Sequence, residues 1–112
     1  RALYPINHLV VVRDELIQAR PSLASDVFLA FAEAKHRYVD RLRNAEIKAP
    51  TATDLMYRRV MDITGDDPLP YGIAPNRQMI EQLIRHAVSQ RIVAEQATVE
   101  DLFAESTRDL VA

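Results

Sequence analysis

Cysteine is absent from this chain, which excludes disulfides, thiolate metal sites and a cysteine nucleophile while leaving the redox compartment open. Glycine occurs only twice. No Gly-rich phosphate loop, Gly-x-Ser-x-Gly elbow or Cys-x-x-Cys pair is present, so phosphate cradling and those nucleophilic chemistries have no motif to rest on. No apolar run approaches the roughly 20 residues that span a bilayer, which excludes a membrane helix. Blocks of like charge are also missing. The 14 basic and 16 acidic residues are interspersed and sum to a formal charge of -2, which leaves no electrostatic footprint for nucleic acid. The three histidines, His8, His36 and His86, are far apart and none has metal-ligand spacing, so neither metal nor cofactor is expected.

What is present reads as a folded chain. Apolar residues make up 48% and charged residues 27%, an ordinary globular composition, and 112 residues suit a single domain with one modest core. Residues 6–13 carry Ile6, Val10, Val11 and Val12 behind Pro5, the pattern of a strand covered on both faces. A lone strand leaves backbone donors and acceptors unpaired, so its partners are expected in another part of a longer chain or in another molecule. Residues 14–19 suit a short helical turn that Arg20-Pro21 interrupts. A long helix is expected over 21–45, with Leu23, Val27, Ala30, Phe31, Ala34, Tyr38 and Leu42 as its apolar stripe and Phe28 and Val39 widening it. A second helix follows over 53–64, capped by Thr51 or Thr53, with Leu55, Met56, Val60 and Ile63 inward and Gly65 as its stop. A third, over 76–91, has Asn76 as cap and Met79, Ile80, Leu83, Ile84, Ala87 and Val88 as its stripe. Phe31, Leu83 and Ile84 are expected to be buried. Thr98 begins a last short helix, with Asp101 placed to reach back in a variant capping box. The wide apolar face of the long helix and the unpaired strand together point to a homo-oligomer. The fold expected is thus a mainly α fragment with one N-terminal β-strand.

Two turn-and-cap signals frame the third helix: Pro70-Tyr71-Gly72-Ile73-Ala74-Pro75-Asn76-Arg77 opens it and Thr98-Val99-Glu100-Asp101-Leu102-Phe103 follows it. With Tyr4-Pro5-Ile6-Asn7-His8-Leu9-Val10-Val11-Val12-Arg13-Asp14 and Phe31-Ala32-Glu33-Ala34-Lys35, this ordered set resembles the C-terminal part of the 4,5-dihydroxyphthalate decarboxylase-like proteins. Those are similar in fold to type II periplasmic solute-binding proteins. The resemblance implies a parent with two α/β lobes, of which residues 1–112 form one C-terminal segment. It implies non-oxidative decarboxylation of an aromatic dicarboxylic acid without a cofactor. Alternatively, it implies a solute-binding protein-like domain that holds a small organic acid without catalysis. A cytoplasmic location is expected, or a periplasmic one if a region upstream of Arg1 carries a signal peptide.

Four residues are candidates for a site. His8 stands at the entrance of the expected strand, where ligands gather in open α/β sheets, and is the candidate proton source. Asn7 beside it can offer polar groups to substrate. The alternative is that His8 hydrogen-bonds a neighbouring strand or loop. Tyr71 and Gly72 combine an aromatic donor with a position of close backbone approach and are candidate substrate contacts. The alternative there is a helix-initiating turn with Tyr71 as packing anchor. Asp66-Asp67, after the Gly65 stop, reads as a solvated turn.

Overall fold

A computed structural model describes residue 6 and residues 8–112. Four α-helices dominate: α1 (Asp14–Ala19), α2 (Leu23–Arg43), α3 (Ala52–Thr64) and α4 (Ile73–Ser89). Two 3-10 turns, Glu100–Leu102 and Glu105–Thr107, complete the chain. The expected strand does not form. Residues 8–13 belong to no helix or ladder, and Leu9, Val10 and Val11 are exposed. The physical reason is the absence of a partner: among the described residues the single β-type contact is an antiparallel bridge between Gly72 and Val111. A β-branched run without a second strand cannot satisfy its backbone by pairing.

The helix boundaries follow their caps. Thr51 Oγ1 accepts from the Asp54 amide at 3.2 Å while Asp54 Oδ2 accepts from the Thr51 amide at 2.8 Å, a reciprocal box that starts α3. Gly65 ends it in the left-handed region at φ 70°. α2 and α4 end without glycine. Ala45 (φ 56°) and Arg91 (φ 58°) take the left-handed position, and the Glu46 amide donates to Arg41 O and the Ile92 amide to Ala87 O, the long bond of a Schellman motif. α4 starts three residues earlier than the sequence suggests. Gly72 is its cap, and Pro75 lies in the first turn, where a missing N–H costs nothing. Asn76 is therefore no cap: its Nδ2 donates backward to the carbonyls of Pro70 and Gly72, both at 2.9 Å. Thr98 and Asp101 do reciprocate, at 3.0 and 3.3 Å, but they close a 3-10 turn and not a helix.

Packing divides into two hydrophobic clusters that share no residue. Val39 and Leu42 of α2 meet Met61 of α3, flanked by Tyr38, Ile47 and Tyr57. Ile73, Ile80 and Ile84 of α4 meet Val99, flanked by Ile6 and Phe103. Each helix buries a narrower arc than its sequence offers. On α2 the buried positions are Ala24, Ala32, Lys35, Val39 and Leu42, so the inward face is rotated toward the Val39 edge of the expected stripe and Phe31 is half exposed. On α3, Tyr57 and Met61 turn toward α2, which leaves Leu55, Met56 and Ile63 outside. On α4, Ile84 is buried as expected, but Leu83 is half exposed because the covering residues reach only the Ile80 side of the arc. The radius of gyration is 16.3 Å, against about 13 Å for a compact domain of this length.

Between α2 and α3 the apolar contact is reinforced by Tyr38, whose hydroxyl donates to Asp54 Oδ1 at 2.5 Å and whose ring meets that of Tyr57 edge-on at 6.4 Å. Burial, then the bond to Asp54, push the Tyr38 phenol up to about 12, and the same bond, followed by those from Thr51, holds the Asp54 carboxyl below its ordinary value. The two groups act in opposite pH windows. A raised folded value means that Tyr38 contributes stability fully below pH 10.0 and loses it as pH rises through about 12. A depressed folded value means that Asp54 contributes above pH 3.8 and loses that contribution as pH falls through its lower folded value. Ultraviolet titration should accordingly show a tyrosine component ionising near 12. In Tyr38→Phe that late component should vanish and the acid midpoint of unfolding should move upward.

Candidate functional site

Residues 66–72 cannot continue a helix because Pro68, Pro70 and Gly72 interrupt it, and the segment carries polar and aromatic groups from α3 to α4. Asp67 opens it. Its Oδ1 accepts from the Leu69 amide at 2.8 Å, a side-chain turn that aims the other oxygen at α2. There Asp67 Oδ2 receives the Lys35 ammonium in an ion pair. The Lys35 side chain is only 1% exposed, whereas that of Asp67 remains 31% exposed. Lys35 Nζ also lies 5.1 Å from the centre of the Tyr71 ring, and Tyr71 meets Phe28 edge-on at 6.4 Å. A buried ammonium is tolerated because a carboxylate neutralises it and an aromatic face covers it.

Backbone pairing fixes Tyr71 from the other side. Its amide donates to Ala112 O at 2.7 Å, and the Ala112 amide donates to Tyr71 O at 3.2 Å. Gly72 follows at φ 109°, and a Cβ there would stand 2.3 Å from Leu110 O. The close approach that Gly72 permits is thus made by the chain's own residues 110–112. Sequence reasoning placed Tyr71 and Gly72 together and missed Lys35 and Asp67, which join them. Asp67 is half buried and ion-paired, which corrects its reading as part of a solvated turn. The available signal was the spacing Ala24, Phe28, Ala32, Lys35, Val39, Leu42, in which a single lysine interrupts an otherwise apolar helical stripe.

His8 is exposed, as are His36 and His86. Asn7 lies outside the described residues. Two open grooves are lined by other residues. One of about 530 Å³ runs along Arg77, Glu81, Arg85 and residues 96–100, and one of about 460 Å³ lies between α1 and residues 104–106. In the first, Arg77 pairs with Glu100 and approaches Glu81 at 4.0 Å, and the Arg77 guanidinium holds the Glu100 carboxyl below its ordinary range. Among the described residues no group of three or more histidines and carboxylates is arranged to hold a metal ion, and no helix is long and apolar enough to cross a membrane. Comparison with protein-family models, with curated proteins and with solved structures gives no match to this chain.

The joint at Lys35 yields a directional test. Asp67→Ala leaves the enclosed ammonium unpaired and should cost about 3 kcal/mol, the low end for a broken buried pair because Asp67 is partly solvated. Lys35→Met removes the charge while keeping the volume and should stay within about 1 kcal/mol of the parent chain. Chemical denaturation of both variants measures the difference.

Proposed function

We propose that the chain is the C-terminal segment of a 4,5-dihydroxyphthalate decarboxylase-like protein with two α/β lobes, which removes one carboxylate from an aromatic dicarboxylic acid without oxidation. The observation that supports this reading is the convergence of the separate runs that carry the resemblance. Lys35, from the second run, covers Tyr71 of the third, and Val99 and Phe103 of the last run pack on Ile73 and Ile80. Residues that mark the family-like pattern therefore form the internal frame of the segment.

In this reading His8 supplies the proton. As the bond between the ring and the departing carboxylate breaks, carbon dioxide leaves, the electron pair stays on the ring carbon, and the imidazolium of His8 protonates that carbon. Exposure leaves His8 accessible to a ligand held by an opposing lobe. Asn7 and Tyr71 would contact the substrate, whereas the approach that Gly72 permits is taken by residues 110–112. Donors for the carboxylates come mainly from outside this segment, so the segment alone is expected to be inert.

The test is carbon dioxide release from 4,5-dihydroxyphthalate by the intact two-lobed protein without added metal or nucleotide. His8→Ala should lower kcat by about 100-fold or more, the scale of a positioned proton donor, with a smaller change in KM. Tight binding of an aromatic dicarboxylate in calorimetry with no turnover would replace the decarboxylase reading with that of a solute-binding protein.

A further inference from the structure

The outward side of α3 carries an interaction surface. Met56, Val60 and Ile63 recur at i, i+4 and i+7, the spacing of a helix-packing stripe, yet Met56 is 43% and Ile63 74% exposed while Tyr57 and Met61 make the contact with α2. α3 is therefore apolar on two sides and covered on one. From the stripe, and from the charges beside it, we infer that this face binds a second copy of the chain, α3 against α3 in antiparallel orientation about a two-fold axis near Val60.

Three observations select that occupant. The chain exposes 8611 Å², which exceeds by roughly 2,000 Å² or more the surface of about 6,200 Å² for a folded monomer of its mass. That surplus belongs to the whole chain, and an α3–α3 contact removes the part of it that the stripe contributes. The stripe is also self-complementary. With the axis near Val60, Met56 of each copy lies opposite Ile63 of the other, and the two Val60 side chains meet at the centre. Charge agrees with the same register. Arg59 and Asp62 are exposed, and neither has an ion-pair partner among the described residues. The antiparallel arrangement brings Arg59 of one copy to within one residue's rise, about 1.5 Å along the axis, of Asp62 of the other, and does so twice. The interface is independent of the decarboxylase reading, since it uses neither His8 nor the Tyr71 joint.

Sedimentation equilibrium of the chain and of four variants decides the matter, with circular dichroism confirming that each retains its helix content. The parent chain should be a dimer in the micromolar range. Ile63→Glu should raise the dissociation constant about 100-fold, since it sets a carboxylate against Met56 on each side of the axis. Arg59→Asp alone and Asp62→Arg alone should each raise it about three- to ten-fold, because each sets like charges against one another. The double variant carrying both exchanges should recover to within about three-fold of the parent, which a surface that merely tolerates charge would not do. A concentration-independent monomer overturns the proposal, as does a dimer indifferent to Ile63→Glu. A double variant as weak as the worse single one overturns the antiparallel register.

Discussion

An ammonium enclosed by protein must be neutralised where it lies, and the position of Lys35 makes that requirement the hinge of this fold. Moving a charge out of water costs several kcal/mol unless a counter-charge and further contacts meet it, so Asp67 and the Tyr71 ring are needed at fixed places. Lys35 is one helical turn before Val39, which belongs to the α2–α3 cluster. Tyr71 is two residues before Ile73, which belongs to the α4 cluster. The two clusters have no member in common, and the ion pair with its aromatic cover is the polar joint between them. The Tyr71 backbone, paired with Ala112, ties the end of the described chain into the same place.

On either side of that joint the helices are only half covered. α2 buries Ala32, Lys35 and Val39 and leaves Phe31, one turn before Lys35 at the edge of that arc, half exposed. α3 presents Tyr57 and Met61 to α2 and keeps Met56 and Ile63 outside, and α4 covers Ile80 and Ile84 but not Leu83. The radius of gyration is accordingly above that of a compact domain. The exposed Leu9, Val10 and Val11 add apolar groups that no second strand covers.

Much of this was legible in the sequence where local physics decides. The α3 cap, expected at Thr51 or Thr53 and found at Thr51, the Gly65 stop and the break at Arg20-Pro21 depend on residues a few positions apart, whereas the reciprocal bond from Asp54 was not anticipated. The ends of α2 and α4 were read within two residues, although Ala45 and Arg91 take the left-handed position without a glycine to announce it. What failed depends on distance. The side of α2 that faces inward is set by Asp67, 32 residues from Lys35, and by residues 105–107, which helical periodicity cannot see. The expected strand failed for the same reason: β-branched residues make a strand favourable, but only a ladder partner makes one. Of the candidate site, Tyr71 and Gly72 were found from their turn chemistry. Lys35 was not singled out, because a lysine inside an apolar stripe reads as an exposed flank until its acid is located.

Native-state hydrogen exchange of α3 and α4 in the parent chain and in Asp67→Ala measures the coupling that the Lys35 joint provides. In the parent, the slowest amides around Met61 and around Ile80 should open with one common free energy, as a single cooperative unit. In Asp67→Ala the two sets should separate by more than about 1 kcal/mol, each cluster opening by itself. Amides that remain matched in the variant, or that already open independently in the parent, would contradict the claim that the buried ion pair holds the two clusters together.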